Sequence, residues 1–521
     1  MYNFCMTLSS HAERRFLRAT ASLGYSNPFL PERIEWERAA LGREYQESAP
    51  VWSVSVADPD ADLPNIVRIY QKLEALVESL HGRLGAASDL QAEDLAAYED
   101  SVHALLYQRY YQSFREAGGH AANGRWQFYK QFLADWNRYL HAPGTRFETG
   151  LHPAHVFACF HQIQRAFQSI FYNIIGSSMP AARLRASIWQ SIFTHDMRRY
   201  RRTLYRRVSD FPTLITGPSG TGKELVARAI AGSRYIPFDP ERQEFAGRPA
   251  SKTVDETFFA INVAALSPAL IESELFGHRR GSFTGAIADR RGWLETCPPL
   301  GSVFLDELGE MEPLLQVKLL RVIETRRFSA VGDTAVREFR GKLIAATNRD
   351  LRVEIRNRRF REDLYYRLCA DLIRTPSLRE QIDASPAVLE ELTLFMVRRV
   401  AGDEAEDCLG EVQQWIAKHL PADYAWPGNY RELEQCVRNV MIRGAYQPVT
   451  ANDAEVGDGQ EDGFPANFRA GKLKADEVLA YYAALVYRQT GSYEEAARRL
   501  GIDRRTVKTR VEAYLDGQQK C

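Results

Sequence analysis

Apolar positions change their period several times along the chain. From the start to about residue 207, Ile66, Tyr70, Leu73, Val77, Leu80 and Leu84 recur at three- and four-residue steps, and Leu105, Leu106, Tyr110 and Phe114 do the same. That spacing predicts amphipathic helices with wide apolar faces, packed into a mainly α bundle after one short extended piece near VWSVSVADPD. The stretches WQFYKQFLADWNRYL and VFACFHQIQRAFQSIFYNII are richer in aromatics, and at helical spacing they read as core before ligand pocket. A basic run, MRRYRRTLYRRVSD, reads as a solvated linker helix. Beyond it, apolar strands alternate with helices in the manner of an α/β domain. After residue 450 the stretch TANDAEVGDGQEDGFPANFRAG is acidic, lacks a period and reads as a flexible linker; the segment that follows it is helical again.

Length makes the pattern multidomain: 521 residues are too many for one core and suggest about three domains. The 67 basic and 67 acidic residues cancel, so no global field draws the chain to nucleic acid or membrane, and DNA contact requires a local patch. Seven cysteines at irregular spacing, without a CxxC pair, fit reduced thiols better than a disulfide framework. The first residues lack the features of a secretory leader and no long uninterrupted apolar run occurs, so a cytoplasmic location is expected.

Four segments carry chemistry. FPTLITGPSGTGKELVARAI joins an apolar strand to an amphipathic helix through Gly217, Pro218, Ser219, Gly220, Thr221, Gly222 and Lys223, the G-x-x-x-x-G-K pattern of a phosphate loop. Its glycines let backbone N–H groups face phosphates, the helix N-terminus adds its dipole, and Lys223 reaches the β- and γ-oxygens. Glu224 stands where the general pattern has a magnesium-binding Ser or Thr. GSVFLDELGE ends an apolar strand in two acids: Asp306 to hold Mg2+, directly or through water, and Glu307 to polarise the attacking water. Helix capping is the plainer reading of such a pair, and the upstream phosphate loop outweighs it. KLIAATN ends at Asn348, placed to sense the γ-phosphate between the two main strands. RRFREDLYYRL supplies Arg361 and Arg367, suited to reach a neighbouring subunit's nucleotide in a ring, or in isolation to pair with Glu362 and Asp363 on the surface.

GPSGTGKE, ESELFGHRRGSFTGA, VFLDELGE, FREDLYYRL and WPGNYREL occur in the order and approximate spacing of the AAA+ domain of bacterial enhancer-binding proteins, the activators of sigma-54 RNA polymerase. The chain resembles that family from about residue 208 to residue 445, and Glu224 follows the family rather than the general loop. The resemblance implies an α/β P-loop core with a helical lid, ATP and Mg2+ as cofactors, and assembly from dimer to hexamer. It also implies that Gly281, Ser282, Phe283, Thr284, Gly285 and Ala286 form the loop that contacts sigma-54, with Ser282 in place of the usual alanine. Glycines at both ends permit such a loop to move, and an apolar tip gains binding energy once a partner buries it. By the same resemblance Asn262 holds the catalytic glutamate until nucleotide state releases it, and Arg431 reaches the nucleotide from the lid. SRYIPFDPERQEFAGRPASKTVDET is longer than the family's usual connection and has no assigned role.

YEEAARRLGIDRRTVKTRVEAY reads as a helix, a turn at Gly501 and a second helix capped by Asp503. Ala496, Ala497, Leu500, Ile502, Val507 and Val511 would bury the crossing, leaving Arg504, Arg505, Lys508 and Thr509, with Thr506 beside them, for phosphates and base edges of double-stranded DNA. The segment resembles the Fis-type helix-turn-helix of these activators. His152, His155, Cys159 and His161 crowd one region but lack a second ligand pair at zinc spacing, which argues against a metal centre there. The expected organisation is a helical N-terminal regulatory domain of unknown ligand (1–195), an AAA+ α/β core (196–375), its helical lid (376–448), a linker (449–470) and a DNA-binding domain (471–521). The expected activity is ATP-driven opening of sigma-54 promoter complexes from upstream DNA. A DNA-binding repressor that uses nucleotide only to switch oligomeric state is the alternative, and an unfoldase or helicase-like motor fits the C-terminal segment poorly.

Overall fold

The computed structural model describes residues 9–47, 63–84, 91–119, 126–141, 147, 152–246, 256–448 and 474–518. The extended piece expected near 51–60 and the linker at 449–470 lie outside the described residues. The chain divides into two compact units, 1–446 and 447–521.

The first unit begins with helices α1 (His11–Tyr25), α2 (Glu32–Leu41), α3 (Pro64–Leu84), α4 (Ala92–Gly119), α5 (Tyr129–Leu140), α6 (Pro153–Asn173) and α7 (Met179–Phe193). Local signals start several of them: Ser10 and Glu13 form a capping box on α1, Pro153 opens α6, and Ser178 caps α7. Leu73, Val77, Leu80 and Leu84 are buried as their period requires, against Tyr98, Val102, Leu106 and Phe114 of α4. The aromatic stretches are core: Phe132, Trp136 and Tyr139 of α5 meet Phe157 and Phe160 of α6. The basic run meets expectation in part. It folds as α8 (Met197–Arg202) and two short 3-10 turns; Arg198, Arg199, Arg202, Arg206 and Arg207 are exposed as expected, while Met197, Tyr200 and Arg201 are buried. Tyr200 is buried and donates to Gln162 Oε1 at 2.8 Å, Arg201 donates to Tyr25 Oη at 2.8 Å, and Arg198 pairs with Asp100. Alternating aromatic and basic residues place the rings inward, so charge alone misreads the segment.

Next comes a five-stranded, all-parallel sheet: β1 (Thr213–Thr216), β2 (Phe258–Asn262), β3 (Ser302–Asp306), β4 (Lys342–Thr347) and β5 (Leu372–Arg374). Their order is β5-β1-β4-β3-β2, so the chain reverses direction across the sheet at β1. Ligands of open α/β sheets bind at the carboxyl ends of strands near such a switch. One face of the sheet packs on helices Pro268–Phe276, Pro313–Thr325, Leu351–Arg356 and Glu362–Leu368 through Leu214, Leu305 and Leu343. The opposite face buries Ile215, Phe304 and Ile344 against α9 (Lys223–Gly232) and against α6 and α7. A bundle of four helices between Leu378 and Arg443 has its own core around Trp426, Leu433 and Val437.

The second unit comprises helices Ala475–Thr490, Tyr493–Leu500 and Arg504–Gln518 around Ala483, Ala496, Val507 and Val511. Gly501 turns the chain with φ +68°, and Asp503 accepts from the amides of Arg505 and Thr506, both at 3.0 Å.

Candidate nucleotide site and its projecting loop

The phosphate loop leaves β1 at the switch point and enters α9. Gly217, Gly220 and Gly222 all have positive φ, at +149°, +75° and +83°. Space forbids a side chain as firmly as the backbone does: a Cβ on Gly217 would lie 2.1 Å from Thr375 Oγ1, and one on Gly220 would lie 2.2 Å from the Gly428 carbonyl. Lys223, on the first turn of α9, is buried and donates to the carbonyls of Gly217 and Pro218 at 3.1 Å each. Desolvation holds its pKa below the ordinary lysine value, opposed by the carboxylates of Glu307 and Asp306. A cation whose neutral partners are two loop carbonyls gains when phosphate oxygens replace them. Glu224 points away from this centre to Arg228, 2.9 Å distant, one turn along the helix.

The acid pair lies two strands from the loop, across β4. Asp306 ends β3 and its Oδ1 accepts from the Glu307 amide at 3.0 Å. Glu307 takes the left-handed conformation with φ +53°, unusual for a glutamate and of the kind found at functional sites. Register puts Asn262 beside Asp306, while the Asn262 Oδ1 accepts from the Ala264 amide at 2.9 Å; among the described residues no hydrogen bond joins it to Glu307. Asn348 follows β4 and is exposed in the gap between β1 and β3. The donor chemistry fits Mg2+: a carboxylate two strands from a phosphate loop, at the same end of the sheet, supplies the hard oxygen that a phosphate-bound ion takes from protein. Asp306 is the residue that would hold it.

The lid closes on the loop through Arg431, named from the sequence, and through Asn429 and Tyr430, which the sequence reading did not single out. Asn429, buried with φ +52°, donates to the Ser219 carbonyl at 2.9 Å and accepts from the Leu378 amide at 2.8 Å. Tyr430 N donates to the Gly220 carbonyl at 3.1 Å, and Arg431 Nη1 lies 3.4 Å from Ser219 Oγ. Thr375, one residue beyond β5, shares a 2.7 Å hydrogen bond with Thr221. Asn429 stands two residues before Arg431 in WPGNYREL, which is the signal that could have drawn attention to it.

Arg361 and Arg367 are exposed and paired at the surface, Arg361 with Asp363 at 2.7 Å and Arg367 with Glu324 at 3.1 Å. The segment containing Gly281 to Ala286 projects from a short antiparallel pair, Gly277–His278 with Arg290–Arg291. Arg279 braces its base through Asp289 at 2.6 Å and Asp333 at 2.9 Å, and Gly281 N donates to the Ala286 carbonyl at 2.8 Å. Phe283 is half-buried, its ring edge-on to His278 with centroids 4.9 Å apart. Thr284 is exposed and Ala286 buried, and the most exposed apolar side chain of this segment is Ile287, at 84%. Ile287 lies one residue past the recognised pattern, and only its position beside that pattern could have flagged it.

In the second unit Arg504, Arg505, Lys508 and Thr509 are exposed, as expected, whereas Thr506 is half-buried with its hydroxyl turned to Asp503. His155 is occupied at both ring nitrogens, by Tyr235 Oη and the Arg201 carbonyl at 2.7 Å each, and no group of three or more metal-ligating side chains occurs among the described residues.

A parallel sheet with a glycine turn at its switch point, clasped by a helical lid, defines a P-loop nucleotide-binding domain of the AAA+ class. Within that class, residues 193–374 match the sigma-54 interaction domain. It is 39% identical over 306 residues to the transcriptional regulatory protein ZraR of Klebsiella oxytoca, covering 57% of this chain and 62% of that one. It is 36% identical over 315 residues to the Nif-specific regulatory protein of Azotobacter vinelandii, covering 59% and 55%. The chain thus spans less than two thirds of the length of these relatives. The crystal structure of NtrX from Brucella abortus in complex with ATP aligns with 79% of the chain and 86% of its own, at 22% identity and a TM-score of 0.39. Among the described residues no helix is long and apolar enough to cross a membrane.

Proposed function

We propose that this chain is an ATP-hydrolysing activator of sigma-54 RNA polymerase that binds upstream DNA through its C-terminal helices and works as an oligomeric ring, a hexamer when complete, in the cytoplasm. The observation that carries the reading is the convergence of Lys223, Asp306, Glu307, Asn348 and Arg431 at the carboxyl end of the sheet, in a domain that also extends the Phe283 loop. In this reading Lys223 and the loop amides bind the phosphates, Asp306 holds Mg2+, and Glu307 orients the attacking water. Asn262 and Asn348 couple the γ-phosphate to Glu307 and to the neighbouring strand ends. Arg361 and Arg367 reach a neighbour's nucleotide; their present pairs are solvent-exposed, so their release costs little. Phe283 and Ile287 supply the apolar contact to sigma-54. Arg504, Arg505, Lys508 and Thr509 meet the DNA, with Thr506 and Asp503 fixing the start of their helix. Replacing Phe283 with Ala is expected to leave ATPase turnover within about twofold of wild type and to abolish open-complex formation. Undiminished open-complex formation by that variant would refute the assignment of the loop.

A further inference from the structure

Helix α9 carries Lys223 at one end and is gripped by the N-terminal bundle at the other. The last turn of any helix leaves carbonyls without intrahelical donors. Here α6 supplies the donors. Gln162 Nε2 donates to the Ser233 carbonyl at 2.9 Å, Arg165 Nη1 to the Arg234 carbonyl at 3.1 Å and Arg165 Nη2 to the Gly232 carbonyl, while Ser169 Oγ reaches the Ala229 carbonyl at 3.4 Å. Residues 162, 165 and 169 lie on one face of α6, so a single helix surface closes the end of another. A guanidinium there also has the sign that the helix dipole favours.

The grip continues into the connection that had no assigned role. Tyr235 Oη meets His155 Nδ1 at 2.7 Å. The short antiparallel pair Phe238–Asp239 and Glu244–Phe245 then enters the bundle core. Phe238 lies 4.7 Å from both Tyr129 and Phe157, and Phe245 lies 4.1 Å from His161 and 4.9 Å from Trp126, ring centre to ring centre. The Trp126 amide donates to the Gln243 carbonyl at 3.0 Å. Val226, Ala227 and Ile230 seat α9 on the sheet, and its tilt is fixed by what holds its ends.

We propose that Arg165, assisted by Gln162, is a positioning residue for the nucleotide site, through which the N-terminal bundle sets nucleotide affinity from the far end of α9. The proposal rests on reading the near end as a nucleotide site. Its test uses the full chain, with a fluorescent ADP analogue for affinity, ATPase KM and kcat, and thermal melting. Arg165→Ala is expected to raise both the Kd for the analogue and the KM for ATP by about fivefold, with kcat within about twofold, since a charge at a helix end is worth that order. Arg165→Lys, which keeps the charge, restores most of the affinity, and Arg165→Gln does not. A folded Arg165→Ala protein with wild-type Kd and KM overturns the proposal. If that variant does not fold, the Lys and Gln variants decide: equal affinity in the two overturns it, and tighter binding by the Lys variant supports it. Lys223→Ala separates the two readings. Wild-type binding by Lys223→Ala removes the nucleotide site itself, whereas lost binding there beside wild-type binding in every Arg165 variant removes only the role of α6.

Discussion

The two ends of α9 are built on different principles. At the N-terminal end the glycine loop, Lys223 and the carboxylates two strands away form a polar centre in which partners are few and exchangeable. At the C-terminal end polar groups are buried in fixed partnerships: Arg234 donates to the Gly301 carbonyl, and Lys342, at the start of β4, donates to the Phe211 carbonyl at 2.9 Å. Desolvation pushes the pKa of Lys342 down to about 8 and that of Arg234 to about 10. One end is poised to accept a ligand and the other is locked into the fold. Function at the first end depends on rigidity at the second.

Breaking the near end has the largest expected effect. Lys223→Ala removes the buried cation that meets the phosphates, worth about 2–5 kcal/mol, so nucleotide affinity measured by titration should fall by about two orders of magnitude with little change in melting temperature. Breaking the far end reverses that pattern. Phe245→Ala empties a buried aromatic site and should destabilise the first unit by about 3–5 kcal/mol in denaturant titration, with a smaller loss of nucleotide affinity.

Lys342 sharpens the contrast through pH. Its folded-state pKa lies below the ordinary lysine value of 10.5, so the unfolded chain binds more protons between about pH 8 and 10.5, and the Lys342 contribution to stability rises with pH in that window. Lys342→Met should therefore be most stabilising, relative to wild type, below pH 8, with the difference shrinking by on the order of 3 kcal/mol toward pH 10. Melting curves of both proteins from pH 7 to 10 measure this; a difference independent of pH would contradict it. The smallest effect belongs to a local cap in the second unit. Asp503→Ala removes an N-cap, and should weaken DNA binding slightly while leaving nucleotide affinity unchanged, as parallel titrations would report.

What could be read from the sequence follows the same division. A glycine loop, an acid pair at a strand end and an aspartate before a helix declare their local geometry within a few residues, because turn conformation, charge placement and capping are local. The helical periods of residues 66–84 and 105–114 likewise found their core. Arg165 and Gln162 carried no such sign. Their partners lie 71 and 69 positions away, and a polar residue on an amphipathic helix looks the same whether it faces water or caps another helix. The basic run at 197–207 was legible only in part: five of its arginines face solvent as their charge suggested, whereas Arg201 is buried because the fold supplies Tyr25 to receive it. Phe238 and Phe245 stood in a connection without a period, where apolar residues gain meaning from the surface they meet.

The central claim is that hydrolysis at the near end drives promoter opening. Permanganate footprinting of a sigma-54 promoter, with polymerase, ATP and either wild-type protein or Glu307→Gln, tests it most directly. Strand opening with wild type, and none with Glu307→Gln despite retained nucleotide binding, is the result expected. Equal opening with both proteins, or transcriptional control that persists without hydrolysis, would contradict the claim and favour a regulator that uses nucleotide only to change its assembly.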